Sequence, residues 1–313
     1  MRWGRYLLFV IGLLISQQMH AGSGTVYHFL RNDVGSRAAA LAGSFVSISN
    51  DPNGIFYNPA SLNTIEGPMG SVGFLKHLLD INAGYASYAE DFEGIGSVGA
   101  GIVYTNYGSF DKTNAAGTVL GTFSASDIAL TIGYGNLLGE NLHYGINLKF
   151  ISSTIDEYSS TGAAADIGLL FEVPDSRLAL GASVRNIGRQ LTKYGSAEED
   201  LPLDVMAGGS VVPRGLPLLL NLGFHKLNED VDAFADRFKA FTVGGEFSLS
   251  PSFQLRFGYD NEKRSDLKIG SSAGLAGFSG GLGVLFDRYR VDYALSSLGK
   301  VGDLHRVSIA TDF

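Results

Sequence analysis

With 313 residues, a formal net charge of −8 and no cysteine, the chain is long enough for one sizeable core but can form neither disulfides nor thiolate metal sites. Its Lys and Arg residues are scattered rather than clustered, which argues against a nucleic-acid-binding surface, so no nucleic-acid partner is expected.

At the N-terminus, Arg2 and Arg5 precede the apolar run YLLFVIGLLIS, too short for a permanent transmembrane helix. The pattern predicts a signal peptide over residues 1–21, cut after the small residue Ala21, although Met19 is larger than usual two places before the cut. The alternative is an uncleaved anchor. With no cysteine at the junction, a lipid anchor is excluded, and the chain from about Gly22 is expected to be exported in a bacterium.

Residues 22–68 follow, and they contain NDPNGIFYNPASL at 50–62. Prolines, asparagines and a glycine belong to turns, yet Ile55, Phe56 and Tyr57 are apolar in their midst. Asp33 or Ser36 is placed to cap a short helix through Leu41, and Asn58 to cap another with Pro59 at its first position. A compact segment rather than a tail is expected, with packing at the lower rim as the alternative.

Past residue 68, apolar residues alternate with small or polar ones in segments of strand length. In LHYGINLKF, Leu142, Tyr144, Ile146, Leu148 and Phe150 share one face, while His143, Gly145, Asn147 and Lys149 share the other. The same alternation predicts fourteen strands near 69–77, 81–89, 94–107, 122–136, 142–155, 161–173, 178–188, 201–212, 217–226, 237–249, 252–261, 270–286, 289–297 and 304–313. Connections after even-numbered strands are brief, such as PDSR at 174–177. Most of the others are longer and polar, notably 108–121, 189–200 and 227–236, where partner contacts are expected.

That rhythm belongs to an all-β fold: a 14-stranded antiparallel transmembrane barrel over 69–313, with 22–68 as an N-terminal hatch. Lipid supplies no hydrogen-bond partners, so the strands must close, apolar side outward. The lumen-facing polar candidates are Lys149, Asp166, Arg185, Glu246, Arg256, Arg290, Asp292 and Arg306, joined by Glu172, Asp204, His225, Asp260 and Asp312. Each basic one would cost about 2–4 kcal/mol facing lipid at the midplane. Tyr85, Tyr104, Tyr134, Tyr144, Tyr259 and Tyr289 lie near strand ends, where aromatic girdles form. The last strand ends on Phe313, the expected assembly signal.

Catalytic patterns fare poorly. GFSGG at 277–281, followed by Asp287, Asp292 and His305, imitates a hydrolase order, but a nucleophile elbow needs a strand-to-helix turn and none is predicted here. A lipase on the barrel's outer surface is the surviving variant. Glycine pairs at 99 and 101 or 281 and 283 precede no helix that could receive phosphate. His28, His77, His143, His225 and His305 have no zinc spacing. No catalytic residue, metal or cofactor is expected.

The stretch DVGSRAAALAGSFVSISNDPNGIFYNPASL resembles the N-terminal segment of FadL-like barrels and, more closely, of the PorV/PorQ group; DYALSSLGKVGDLHRVSI and YHFL lean toward PorQ. The hatch motif Arg37, Phe56, Tyr57, Asn58 and Pro59 carries the likeness. It implies an outer-membrane barrel assembled by the barrel-assembly machinery and set among lipid and lipopolysaccharide. In PorV/PorQ terms it implies an accessory of type IX secretion, engaging secretion components or cargo C-terminal domains. The FadL-like alternative is transport of long-chain fatty acids or other hydrophobic small molecules. A charged, glycine-rich inner face favours the plugged adaptor, whereas an apolar tunnel would favour the carrier.

Overall fold

A computed structural model describes residues 25–77, 80–174, 176–268 and 274–313. The expected signal peptide, the first residues of the hatch and the start of the twelfth expected strand at 270–273 lie outside the described residues.

Fourteen strands form one closed antiparallel sheet: β1 Met69–Lys76, β2 Asn82–Phe92, β3 Gly96–Thr113, β4 Val119–Gly139, β5 Leu142–Ile155, β6 Tyr158–Val173, β7 Leu178–Thr192, β8 Asp204–Val211, β9 Leu218–Phe224, β10 Phe241–Ser250, β11 Phe253–Asp260, β12 Phe278–Phe286, β13 Tyr289–Ser297 and β14 Asp303–Asp312. Each strand pairs with its sequence neighbours, and β14 returns to β1 with Met69 opposite Asp312 and Lys76 opposite His305. No ladder edge is left for lipid to leave unsatisfied. No helix among the described residues is long and apolar enough to cross a membrane, so any crossing falls to the strands.

The outer face carries exposed apolar side chains on every strand but β8, including Ile132 and Leu148, each 67% exposed, and Phe257, Val307 and Ile309. A belt of this kind exceeds the patches that water-exposed surfaces tolerate. The inner face is polar, with Lys149, Asp166, Arg185, Glu246, Arg256, Asp292 and Arg306 all buried.

Strand ends depart from the sequence expectation, notably in three places. β3 and β4 run 18 and 21 residues, so most of the loop expected at 108–121 is a projecting hairpin, held by the stacked pair Phe110 and Phe123. β8 and β9 have only 8 and 7 residues, which leaves a tall wall over β3–β7 and a low one beyond it. Between β11 and β12, Asn261–Asp266 form a short helix, α1, because the Asp260 carboxylate accepts the Lys263 N–H at 3.0 Å. β12 therefore begins at Phe278 rather than near 270.

The hatch lies within the barrel. Val26 N–H donates to Asp200 O at the upper rim, the one opposite the chain's C-terminus, and the segment then winds down past Ala38, Leu41, Phe45, Ile55, Phe56 and Leu62, which form the central apolar cluster with Met69 and Ala89.

Candidate functional site

The stretch 50–62 consists of two 3-10 turns, Pro52–Phe56 and Pro59–Thr64. Asp51 caps the first by accepting from Asn53 N–H at 3.0 Å, and Asn58 caps the second by accepting from Ala60 N–H at 3.1 Å. Proline follows each cap, where its missing N–H costs nothing. Three successive hatch carbonyls are then read by the wall. Ile55 O accepts from Asn147 Nδ2, Phe56 O from Arg185 Nη1 and Tyr57 O from Ser183 Oγ, each at 2.8 Å. Asn58 Nδ2 donates to Val46 O at 2.7 Å and to Leu169 O at 2.9 Å, tying two hatch turns to β6.

Side-chain volume on the wall had to vanish for this approach. A Cβ at Gly145 would collide with the Pro59–Ala60 backbone, at Gly168 with Asn58 and at Gly181 with the Val46 carbonyl. These inner-face glycines are the imprint of the hatch.

On the opposite wall the hatch is held by charge. Arg37 pairs with Glu246 at 2.7 Å and Asp51 at 3.1 Å; Arg256 pairs with Glu246 at 2.6 Å and Asp292 at 2.5 Å; Arg290 pairs with Asp292 at 2.9 Å and Asp51 at 2.8 Å. The six groups close into a ring of alternating sign, two from the hatch and four from β10, β11 and β13. Arg256 is only 1% exposed, which is tolerable because two carboxylates and the Gln254 side chain surround it.

The other inner charges fall into separate groups. Lys149 meets Asp166 at 2.8 Å beside a bulge where Arg185 and Asn186 of β7 both turn inward, and Arg185 meets Asp204 at 2.6 Å. Glu172 accepts from Ser49 at 2.8 Å. Asp312 is exposed at the lower end, not enclosed. Arg306 stands apart: it is 6% exposed, its Nη1 donates to Ser296 Oγ at 3.1 Å, and its Nε has no partner.

Two cavities flank Arg306. An apolar cleft between the hatch and β1–β3, with about 400 Å³ of atom-free space counting its mouth, is lined by Phe29, Val34, Leu75, Tyr85 and Val103. A larger, more polar cavity of about 640 Å³, counted likewise, lies at the upper rim among Arg31, His77, Lys263, Ser297 and Leu298. Asn32, Asp33 and Arg306 line both.

Several side chains expected elsewhere are here. Tyr85 turns inward, bonding Ser71 at 2.9 Å, because Gly73 opposite leaves room for its ring; it is not part of an outer girdle. The helix at Ser36–Ala40 is capped by neither Asp33 nor Ser36: Gly35 stands at its start without a side-chain bond, and Asp33 instead receives Lys263 Nζ at 2.9 Å. Ser279 points inward to donate to Ala40 O, whereas His305 lies on the outer face against Tyr293, so the hydrolase-like order never assembles. Outside the strands, burial pushes the Glu262 carboxyl up, but hydrogen bonds from His225 and Lys226 with the Lys226 charge outweigh it and bring it down to about 2.

No protein-family model and no curated protein matches the chain. Among solved structures it is similar to the toluene transporter TbuX of Ralstonia pickettii (TM-score 0.62, 11% identity, 90% of this chain and 98% of that one). It is similar also to the toluene transporter TodX of Pseudomonas putida (0.64, 13%, 90% and 98%) and to a Pseudomonas aeruginosa FadL homologue (0.59, 12%, 93% and 100%). The fold is thus that of the FadL-like barrels, and the closed sheet with its apolar outer belt is that of a bacterial outer-membrane barrel.

Proposed function

We propose that the protein carries hydrophobic small molecules across the outer membrane. The observation that supports this most is the apolar cleft trapped between hatch and wall, which shares Asn32, Asp33 and Arg306 as lining with the cavity at the upper rim. Molecules entering from the upper side would meet the polar cavity first and the apolar cleft beneath it. The printed names of the similar barrels, toluene transporters and a FadL homologue, lend support from outside the chain. In this reading 1–21 is a removable leader, 22–68 the hatch and 69–313 the barrel. Arg37, Phe56, Tyr57, Asn58 and Pro59 seat the hatch, and Phe313, whose ring lies over Gly70 at the β1–β14 seam, serves assembly by the barrel machinery amid lipid and lipopolysaccharide.

A second reading, the PorV/PorQ-type accessory of type IX secretion, draws support from the ion ring that fastens the hatch across the lower lumen, as suits a plugged adaptor for cargo C-terminal domains. One comparison separates the two: deletion of the gene, followed by measurement of small-molecule uptake and of the secreted proteins. Impaired uptake with an unchanged secretome is the expected result. An altered secretome with normal uptake would transfer the conclusion to the second reading.

A further inference from the structure

We propose that the outer wall carries a site for one lipid: a furrow along β2 that seats an acyl chain of lipopolysaccharide, with Lys76 at its head to take the lipid's phosphate. The inference is independent of the transport reading and rests on the membrane-facing belt alone.

The strand register fixes the site. Side chains alternate, so the outward residues of β14, β1, β2 and β3 align in rows across the sheet. The uppermost row is polar: His305 is opposite Lys76, Lys76 opposite Asn82 and Asn82 opposite Asn106. The row beneath it reads Val307, Phe74, Gly84 and Tyr104, and the next reads Ile309, Val72, Ala86 and Ile102. Polar head and apolar body therefore meet along one line.

Within the apolar rows β2 has almost no side-chain bulk. Gly84 and Ala86 lie between Phe74 and Val72 of β1, 54% and 55% exposed, and Tyr104 and Ile102 of β3. The two flanking strands stand about 10 Å apart across β2, so their side chains wall a furrow one chain wide. A Cβ at Gly84 would meet nothing nearer than the Gly73 carbonyl oxygen at 3.5 Å, so the floor is open rather than filled. Tyr88, with the Phe313 ring 6.1 Å away, closes the lower end. From Asn82 to Tyr88 the strand runs about 20 Å, which accommodates an extended acyl chain.

At the head of the furrow a charge is unanswered. Lys76 is exposed, and its Nζ donates to Asn82 Oδ1 at 3.2 Å but among the described residues pairs with no carboxylate. An ammonium at the edge of a hydrocarbon belt favours an anionic headgroup. His305 stands beside it; its Nδ1 lies 2.7 Å from the Tyr293 hydroxyl, which leaves Nε2 for the same headgroup. Asp303, two residues further up β14 on the same face, turns that headgroup toward Lys76 and Asn82. The longer loops make the upper rim the outer side of the membrane, where the phosphate-bearing lipid is lipopolysaccharide.

The test is binding of lipid A to the folded protein in non-ionic detergent, with lipid A stripped of its phosphates and phosphatidylglycerol as comparisons. The variants are Lys76→Gln, Gly84→Val and, as a control, Lys112→Gln, whose lysine already pairs with Asp156. A phosphate on Lys76 predicts that the wild type binds lipid A about tenfold or more tighter than the stripped lipid, that Lys76→Gln removes this preference and that Lys112→Gln keeps it. Gly84→Val fills the furrow and should weaken both lipids about tenfold while the barrel keeps its heat-resistant migration. A wild type indifferent to the phosphates, a preference that survives Lys76→Gln, or Gly84→Val binding as the wild type does would each overturn the inference. Phosphatidylglycerol bound as tightly as lipid A would overturn lipopolysaccharide as the occupant. If Gly84→Val fails to fold, the phosphate preference and its loss in Lys76→Gln decide.

Discussion

Arg256 shows how much of the hatch junction depends on single side chains. Its guanidinium closes the ring between Glu246 and Asp292, so Arg256→Met leaves each carboxylate with one partner and one stranded side. Breaking a buried pair in this way costs about 3–5 kcal/mol, which should appear as a lowered unfolding temperature in detergent. Adding Glu246→Gln leaves Arg37, Asp51, Arg290 and Asp292, two charges of each sign, and should restore part of the loss; no recovery in the double variant would mean that the ring is not the unit that matters. Glu262 makes a different prediction, about pH. Its folded-state carboxyl lies below the ordinary 4.5, at about 2, so the bonds from His225 and Lys226 contribute fully above 4.5 and fade as pH falls toward 2. Thermal melts between pH 2 and 6 should show a steeper acid loss for the wild type than for Glu262→Gln. Equal slopes would count against those bonds. The sequence could place these charges on an inner face, because alternation fixes which side a residue takes. It could not pair them, since Arg37 and Glu246 are brought together only by a segment folding into the bore.

At the level of elements, the long amphipathic strands were legible because one face had to be apolar throughout, as in LHYGINLKF. The ends were not, because alternation continues past the bilayer wherever a hairpin such as β3–β4 carries its own cross-strand pairs, and it stops early where a capped turn like Asp260 with α1 competes. The role of the inner-face glycines was hidden for a related reason. At Gly145 the deciding neighbour is the Pro59–Ala60 backbone, more than eighty residues earlier in sequence and invisible to any local pattern. That gives the element its own prediction. Gly145→Ala forces a Cβ into the hatch backbone and should cost about 1–3 kcal/mol, as overpacking does. It should also make the hatch more open to protease. Gly139→Ala, where a Cβ meets nothing within 4 Å, is the matched control and should change neither. Equal behaviour of the two variants would mean that the hatch is not seated on the wall as described.

For the whole molecule, the decisive feature is how the ring's charge divides between its two parts. The hatch brings Arg37 and Asp51; the wall brings Glu246, Arg256, Arg290 and Asp292, already paired with one another through Arg256 to Glu246 and Asp292 and through Arg290 to Asp292. Each part is neutral by itself. Removing the hatch therefore strands no net charge on the wall, and the closed ladder of fourteen strands, whose apolar belt faces outward, does not depend on it for its hydrogen bonds. What the hatch fills is the bore, which inward side chains cannot close in a barrel of this strand number, least of all along a wall thinned to glycine at 145, 168 and 181. A barrel lacking residues 25–64 should accordingly still fold, migrate as a heat-resistant species and conduct ions in a planar bilayer, while the intact protein conducts little. A truncated barrel that fails to fold would make the hatch part of the structural core, and one that folds but stays closed would place the seal in the wall rather than in the segment that NDPNGIFYNPASL builds.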